Sequence, residues 1–355
     1  MKTERLVKLR TEMKKRDINQ LLITDYLSVF YLIGKKEDPM ERFLGLYIDD
    51  CKEPVLFINE IMNWTEDLGI KKVWLSDTDE PADKVSKYIK PGIIGLEKGM
   101  KVGHFLPLMK KCKDVVFEDA TDIVMACREI KDEEEKELMR RASAMNDAAI
   151  GKVICAIKEG ITERQLEAEV DKIYAGYGAD NEFTIIGFGE NAANPHAKPS
   201  SRKIKPGDSI VIDIGGLKDN YYCDMTRTVF FREISDEAKE IYETVLEANE
   251  RAIKAVKPGV KFCDIDAAAR NYIAEKGYGD KFTHRTGHGA GISVHEGGDV
   301  SSSNEDTLKP GMIFSIEPGI YITGNIGVRI EDLVMVTEDG CEVLNKYTKR
   351  LQIIK

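Results

Sequence analysis

Histidine is scarce in this 355-residue chain. There are five, and three of them (His284, His288 and His295) fall inside one glycine-rich stretch, FTHRTGHGAGISVHE, residues 282–296. Paired cysteines are missing as well. The seven cysteines are scattered and odd in number, with no CxxC pair, which excludes a disulfide framework and a thiolate zinc site. No apolar run approaches the ~18 residues that a membrane helix needs. The opening MKTERLVKLRTEMKKRD is charged throughout, unlike a secretion signal, so the expected setting is the cytoplasm with no membrane partner. A basic excess is absent too: 52 Lys and Arg against 62 Asp and Glu give a net charge of −10, with no basic stripe, which argues against nucleic acid as a partner.

What is present suggests two domains. Residues 1–128 alternate a helical stretch, TERLVKLRTEMKKRD, with short apolar runs (QLLITD, FLGLYID, PVLFIN, KKVWLS, IIGLE) bounded by polar residues, as in a small α/β domain. Its lone histidine, His104, has no carboxylate cluster near it and reads as structural. A long helix follows, with Asp132 to Glu135 in its first turn, where the helix dipole favours negative charge, and Gly160 past its end. The second domain is expected to span 129–355.

That second domain carries a weak internal repeat. AIKEGITERQLEAEVDKIYAGYG (156–178) aligns with AVKPGVKFCDIDAAARNYIAEKG (255–277), and KPGDSIVIDIGG (205–216) aligns with KPGMIFSIEPGI (309–320). Two matches in the same order point to duplication of a helix, helix, strand unit. Asp213 and Glu317 then occupy equivalent places, and the two copies facing each other would bring acidic strands together around one cleft.

The acids themselves are anomalous. Asp213 interrupts the apolar run SIVIDIGG, Asp224 sits in NYYCDMTRTVFF, Glu317 in MIFSIEPG, and Glu331 with Asp332 in GVRIEDLVMV. A buried ionised carboxylate is costly unless something positive compensates it. Singly, an edge-strand acid or a simple ion pair accounts for each at least as well as a functional role. Together with a histidine-rich loop, four carboxylates and one neutral imidazole make a donor set for two divalent cations, whose four positive charges would balance the acids. The reaction class this implies is metal-assisted hydrolysis.

The order Asp213, Asp224, His288, Glu317, Glu331, in the contexts VIDIGG, YYCDMTRT, HRTGHGAG, SIEPGIYI and GVRIED, closely resembles the dinuclear metallopeptidases that include methionine aminopeptidase, aminopeptidase P and prolidase. The resemblance covers nearly all of residues 130–355. It implies an α/β (α+β) chain: a small N-terminal α/β domain, then the internally duplicated pita-bread catalytic domain. It also implies that those five residues hold two metal ions, manganese first, with cobalt, zinc or iron compatible. A bridging hydroxide would attack the carbonyl carbon while Glu317 both ligates and shuttles a proton. His196 and His295 would meet substrate or the developing oxyanion, His284 would shape the pocket beyond the scissile bond, and Arg329 and Tyr321 would support substrate or ligand. On the face of a strand, Arg329 is expected beside Glu331, two residues on.

The α/β domain ahead of the catalytic one, and the histidine context NPHAKPS, resemble the prolyl-specific branch, which implies cleavage of an N-terminal Xaa-Pro bond in dipeptides or short peptides. The same resemblance leads to the expectation of a homodimer. Arg285 departs from the pattern, since many relatives have glycine there. Two alternatives stay open: methionine aminopeptidase activity, and a non-catalytic protein-binding scaffold of the same fold. The intact ligand set argues against the scaffold and against a metal-free amidinohydrolase.

Overall fold

A computed structural model describes the chain from Met1 to Lys355, and it divides into two units, Met1–Arg128 and Glu129–Lys355. The first runs α1 (Thr3–Lys15), β1 (Gln20–Ile23), α2 (Tyr26–Ile33), β2 (Gly45–Asp49), β3 (Val55–Asn59), β4 (Lys71–Leu75), α3 (Pro81–Val85), β5 (Gly92–Leu96), α4 (Val102–Lys111), β6 (Val115–Asp119) and α5 (Thr121–Glu129). Its six strands form one mixed sheet in the order β4-β3-β2-β1-β5-β6. The central strands β1, β2 and β3 are buried along their whole length, which is why they read as continuous apolar runs rather than alternating ones. His104, on α4, packs edge-on against Phe43 with ring centroids 5.2 Å apart, a packing role.

The second unit is built twice. Its first half has α6 (Glu133–Cys155), α7 (Glu163–Gly176), β7 (Asp180–Phe188), β8 (Ser209–Lys218) and β9 (Tyr221–Phe231). Its second half has α8 (Asp236–Ala255), α9 (Phe262–Glu275), β10 (Gly287–Gly289), β11 (Glu296–Val300), β12 (Ile313–Ile316), β13 (Gly319–Ile322), β14 (Ile326–Arg329), β15 (Asp332–Val336) and β16 (Cys341–Val343), before a short β17 (Ile353–Ile354) that pairs with β9. Helix α9 starts 99 residues after α7, and β12 starts 104 after β8, the same offsets that the repeat has in the sequence. Each half also has its own apolar core, one around Ile150, Leu166 and Ile212, the other around Val245, Ile265 and Phe314.

Local chemistry sets the ends of these elements. Asp132 and Glu135 form a reciprocal capping box at the start of α6, and Thr162 and Gln165 form another on α7. Strands β8 and β9 meet at Asp219 and Asn220, both with left-handed φ (52° and 67°), as a tight two-residue hairpin requires. That turn fixes the register, placing Asp213 opposite Thr226 and Gly215 opposite Asp224. Directly paired residues share a face, so both acids and Thr226 point the same way. One asparagine per half anchors the ligand-bearing strand to its first helix: Asn146 Nδ2 donates to Ile214 O (3.0 Å), and Asn249 Nδ2 to Ile316 O (2.9 Å).

Candidate metal centre

The two halves meet where their acids converge. Glu331 N donates to Thr226 O (3.1 Å), and Thr226 Oγ1 donates to Glu331 Oε2 (2.7 Å), so strand β9 of one half holds the acidic turn of the other. The β12–β15 register ends at Ile316 opposite Asp332, which makes Glu317 and Glu331 the next facing pair, one step beyond the strand ends. They therefore project from strand termini and not from mid-strand as the sequence suggested. A strand end leaves the backbone free to turn while the ladder behind it keeps the side chain in place.

Histidine enters from β10. Gly287 and Gly289 flank His288 because nothing larger fits: a Cβ on Gly287 would lie 1.8 Å from Ser315 O, and one on Gly289 1.8 Å from Gly297 O. Ser315 Oγ accepts from His288 N (3.0 Å) and donates to Glu317 Oε1 (3.2 Å), coupling two functional side chains through one hydroxyl. His288 Nδ1 faces its neighbouring carbonyl, Gly289 O (3.2 Å), which leaves Nε2 turned to the acids, 3.6 Å from Asp224 Oδ2 and 3.5 Å from Glu317 Oε1.

Donor atoms of Asp224, His288 and Glu331, all buried, lie within 4.8 Å of one another. Asp213 and Glu317 line the same cavity, of about 510 Å³, with Glu182, Phe183, Ile185, Pro195, His196, His284, Arg285, Val294, His295 and Arg329. The ten residues singled out in the sequence thus divide into nine that line this cavity and Tyr321, which stands behind it on a hydrogen bond to Arg329.

Charge in this cavity is badly out of balance. Four carboxylates face one buried guanidinium, Arg329, whose Nη2 donates to Asp213 Oδ2 (2.7 Å), Nε to Thr226 Oγ1 (3.0 Å) and Nη1 to Tyr321 Oη (2.9 Å). Arg329 therefore hydrogen-bonds Asp213 directly and connects to Glu331 by hydrogen bonds through Thr226, and its strand β14 ends at Arg329, before Glu331. Burial pushes the Asp224 and Glu331 carboxyls well above their ordinary values, reinforced by their acidic neighbours. Glu317 is raised to about 7 by burial, which outweighs the opposing charge of Arg329. Arg329 itself goes well above its usual value: burial alone would lower it, but Tyr321, Asp213 and Glu317 outweigh that. His288 is held down at about 3 by burial beside His295, so its imidazole is neutral and able to ligate.

Two buried atoms, Asp213 Oδ1 and Asp224 Oδ1, have no hydrogen-bond partner. Orphaned carboxylate oxygens, like charges packed together and a neutral imidazole are the arrangement that hard divalent cations satisfy. The residues present fit such ions: Asp224, His288 and Glu331 already bring donor atoms together, and Asp213 and Glu317 line the same cavity and could add theirs.

A second chain of contacts runs to the pocket wall. Tyr321 Oη also lies 2.9 Å from His284 Nε2, whose ring stacks edge-on with Phe282. His295 stands edge-on to His288, ring centroids 4.1 Å apart. Several residues of the site carried no signal in the sequence. Thr226 and Ser315 are ordinary strand hydroxyls whose roles depend on partners 105 and 27 residues away. Phe183, Ile185 and Val294, the apolar part of the wall, resemble core residues until the cavity is seen.

Residues 137–338 match metallopeptidase family M24, and residues 5–130 match the creatinase/prolidase N-terminal domain. An uncharacterised peptidase of Staphylococcus aureus (strain MSSA476) is 38% identical over 353 residues, covering 97% of this chain and 99% of that protein. Among solved structures, the prolidase from Pyrococcus horikoshii OT3 is 34% identical with a TM-score of 0.90, covering 98% of this chain and 99% of that one. The Xaa-Pro dipeptidase from Bacillus anthracis is 30% identical with a TM-score of 0.91, covering 99% of both. The chain belongs to metallopeptidase family M24, in the branch that carries a creatinase/prolidase N-terminal domain ahead of the pita-bread catalytic domain, and it is a peptidase.

Proposed function

We propose that this peptidase removes an N-terminal residue that precedes proline, hydrolysing the Xaa-Pro bond of dipeptides or short peptides with two divalent cations in the centre, manganese first among the candidates. The observation that carries the reading is the charge imbalance: four buried carboxylates, two of them with an orphaned oxygen, against one guanidinium. The near full-length likeness to a prolidase and an Xaa-Pro dipeptidase supports the substrate class. In this reading Asp213, Asp224, His288, Glu317 and Glu331 hold the ions, which when bound supply hydroxide near neutral pH and polarise the substrate carbonyl.

The chain's own groups do the rest. In this reading Glu317 is also the carboxylate that holds a proton and passes it to the departing prolyl nitrogen. Ser315 fixes that carboxylate's orientation. His196 and His295 line the cavity, and in this reading they meet the oxygen on which charge develops. Arg329, Tyr321 and His284 form a hydrogen-bonded row that orients Asp213 and shapes the wall against the leaving residue. A tertiary Xaa-Pro amide has no N–H to donate, so recognition falls to the shape of that wall. No helix is long and apolar enough to cross a membrane, and the proposed setting is cytoplasmic. The proposed assembly is a homodimer, which light scattering at working concentration checks.

Hydrolysis by chelator-stripped protein, with and without manganese, of an Xaa-Pro dipeptide and an Xaa-Pro-Yaa tripeptide tests the proposal. Manganese-dependent cleavage is expected, and the preferred length distinguishes a dipeptidase from an aminopeptidase. No cleavage of either with metal bound would sink it, and rapid cleavage of Met-Ala-Ser instead would assign methionine aminopeptidase activity.

A further inference from the structure

Next to the centre, but outside its donor set, lies an ion pair sealed from water: Lys131 Nζ is 3.1 Å from Glu296 Oε2, and their side chains are 2% and 1% exposed. Glu296 directly follows His295 and opens β11. Its other oxygen, Oε1, accepts from the backbone N–H of Ile292 (3.1 Å) and Ser293 (3.3 Å). The segment 290–295 has no strand or helix of its own, and it folds back so that Gly291 N donates to Ser293 O (3.1 Å). The carboxylate fills the inside of this fold. A Cβ on Gly291 would come within 2.6 Å of Glu296 Oε2, which explains the glycine. On the outside of the same segment Val294 and His295 line the cavity.

Lys131 is held just as firmly. Its N–H donates to Gly311 O (2.9 Å) and Ile130 bridges Met312, immediately ahead of the strand that delivers Ser315 and Glu317. The pair therefore ties the His295 segment to the base of the Glu317 strand. Burying an ammonium and a carboxylate costs both of them their hydration, and apolar residues of equal volume often serve stability as well or better. Stability alone does not account for this pair.

We infer that Lys131 and Glu296 are positioning residues for His295: the carboxylate sets the segment's backbone from within, and the ammonium sets the carboxylate. Neither touches substrate. The inference rests on reading His295 as a group that meets substrate, and it adds a lysine 164 residues away in sequence to that role. Tyr222 N donating to Gly291 O (2.8 Å) and Ala290 N to Ile313 O (3.1 Å) anchor the start of the segment, and between there and β11 the Glu296 carboxylate is what sets the backbone that carries His295.

Lys131→Met and Glu296→Gln test it in the full-length, manganese-loaded enzyme. In each, kcat for an Xaa-Pro dipeptide is expected to fall about 10–100-fold, as for partners that orient functional side chains. KM and manganese affinity should stay within about threefold, since the five donors keep their own supports. With only five histidines, ring carbon-13 NMR of the zinc-loaded protein, which is diamagnetic where manganese would erase signals beside the centre, gives a readout that a general loss of stability would not: the His295 signal should shift while that of His196 stays put. Should Lys131→Met fail to fold, Glu296→Gln, which keeps the shape and loses the charge, decides. Folded variants with kcat within twofold of wild type, or a kcat loss that follows manganese loss, would overturn the inference. If the wild type cleaves no Xaa-Pro substrate the proposed function fails on its own, and an unchanged His295 signal in the variants would then overturn the tether separately.

Discussion

Glu331 and Asp332 are chain neighbours, both buried, and they live in opposite electrostatic worlds. Asp332 faces two cations: Arg227 Nη2 lies 2.7 Å from one oxygen and Lys349 Nζ 2.8 Å from the other. Arg227 in turn spends its remaining donors on Thr226 O, Glu331 O and Tyr347 O. Glu331 points the other way, toward Asp224, Glu317 and Asp213, with Thr226 Oγ1 donating to it and the Arg329 guanidinium opposing their charge. Counting buried acids would rank the two equally. Counting the positive charge each one meets separates an acid that holds the fold together from one that awaits an ion.

The largest expected effect comes from breaking that contrast on both sides. Glu331→Ala should cut manganese-dependent turnover by about 10³-fold or more, the several kcal/mol that cation stabilisation of the transition state supplies. The metal-free protein should keep or gain thermal stability, because one of the crowded like charges is gone. Asp332→Ala should do the reverse. It strands the buried Arg227 and costs ~3–5 kcal/mol of folding stability, with turnover per folded molecule largely kept. Calorimetric melting alongside kinetics checks both, and equal stability losses in the two variants would erase the distinction.

Next in size is the response of the metal-free protein to pH. In the metal-free protein Glu317 is raised to about 7 and Asp224 and Glu331 are also raised by burial, all above the unfolded carboxyl value of about 4. Groups raised in this way stabilise the fold while protonated. Their contribution is complete below pH ~4 and is lost as pH climbs through the folded values. Chelator-treated protein should therefore melt at lower temperature as pH rises from about 5 to 8, whereas manganese-loaded protein should not, and manganese binding should release protons in that window. A metal-free melting temperature that rises across this range would contradict the account.

Arg329→Lys should have a smaller effect, a fall of about 10–100-fold in turnover. The fork of Arg329 serves Thr226, Tyr321 and Asp213 at once, and a single ammonium cannot reproduce it. Steady-state kinetics with manganese in excess decides, and wild-type turnover would show that the fork is dispensable.

How much of this could be read from the sequence follows from the range over which each signal acts. Continuous apolar runs mark β1 to β5 because those strands are buried over their length or pack beside ones that are, and the repeat is visible because duplication left both spacing and residue type. β6, with alternate residues exposed and FED at its end, and β7, which opens on DNE, have no such contrast and went unread. Asp213, Asp224, Glu317 and Glu331 stand out because an acid in an apolar run is anomalous at once, and His288 because three of the five histidines share one glycine-rich stretch. The contact of Arg329 with Asp213, 116 residues away, is not legible in the sequence, which shows only its spacing from Glu331. Thr226, Ser315, Asn146 and Asn249 act through partners distant in the chain, and nothing local marks a strand threonine or a helix asparagine as different from its solvent-facing equivalents.

The smallest expected effect concerns Arg285, beside the pocket residue His284. Arg285 Nη1 lies 2.9 Å from Asp299 Oδ1, but the side chains are 35% and 51% exposed, so solvent screens the pair to about 1 kcal/mol or less. A guanidinium so loosely held at the cavity wall is free to turn toward a negative group, and in a dipeptide the free carboxylate lies one residue beyond the scissile bond. Arg285→Gly should therefore lower kcat/KM for an Xaa-Pro dipeptide about threefold to tenfold while leaving a longer peptide, or the dipeptide amide, nearly unchanged. Asp299→Asn, which removes the competing carboxylate, should shift the ratio the other way. The two variants thus bracket the wild type, and a dipeptide-to-tripeptide ratio that moves in neither would mean that length selection is set by other parts of the wall.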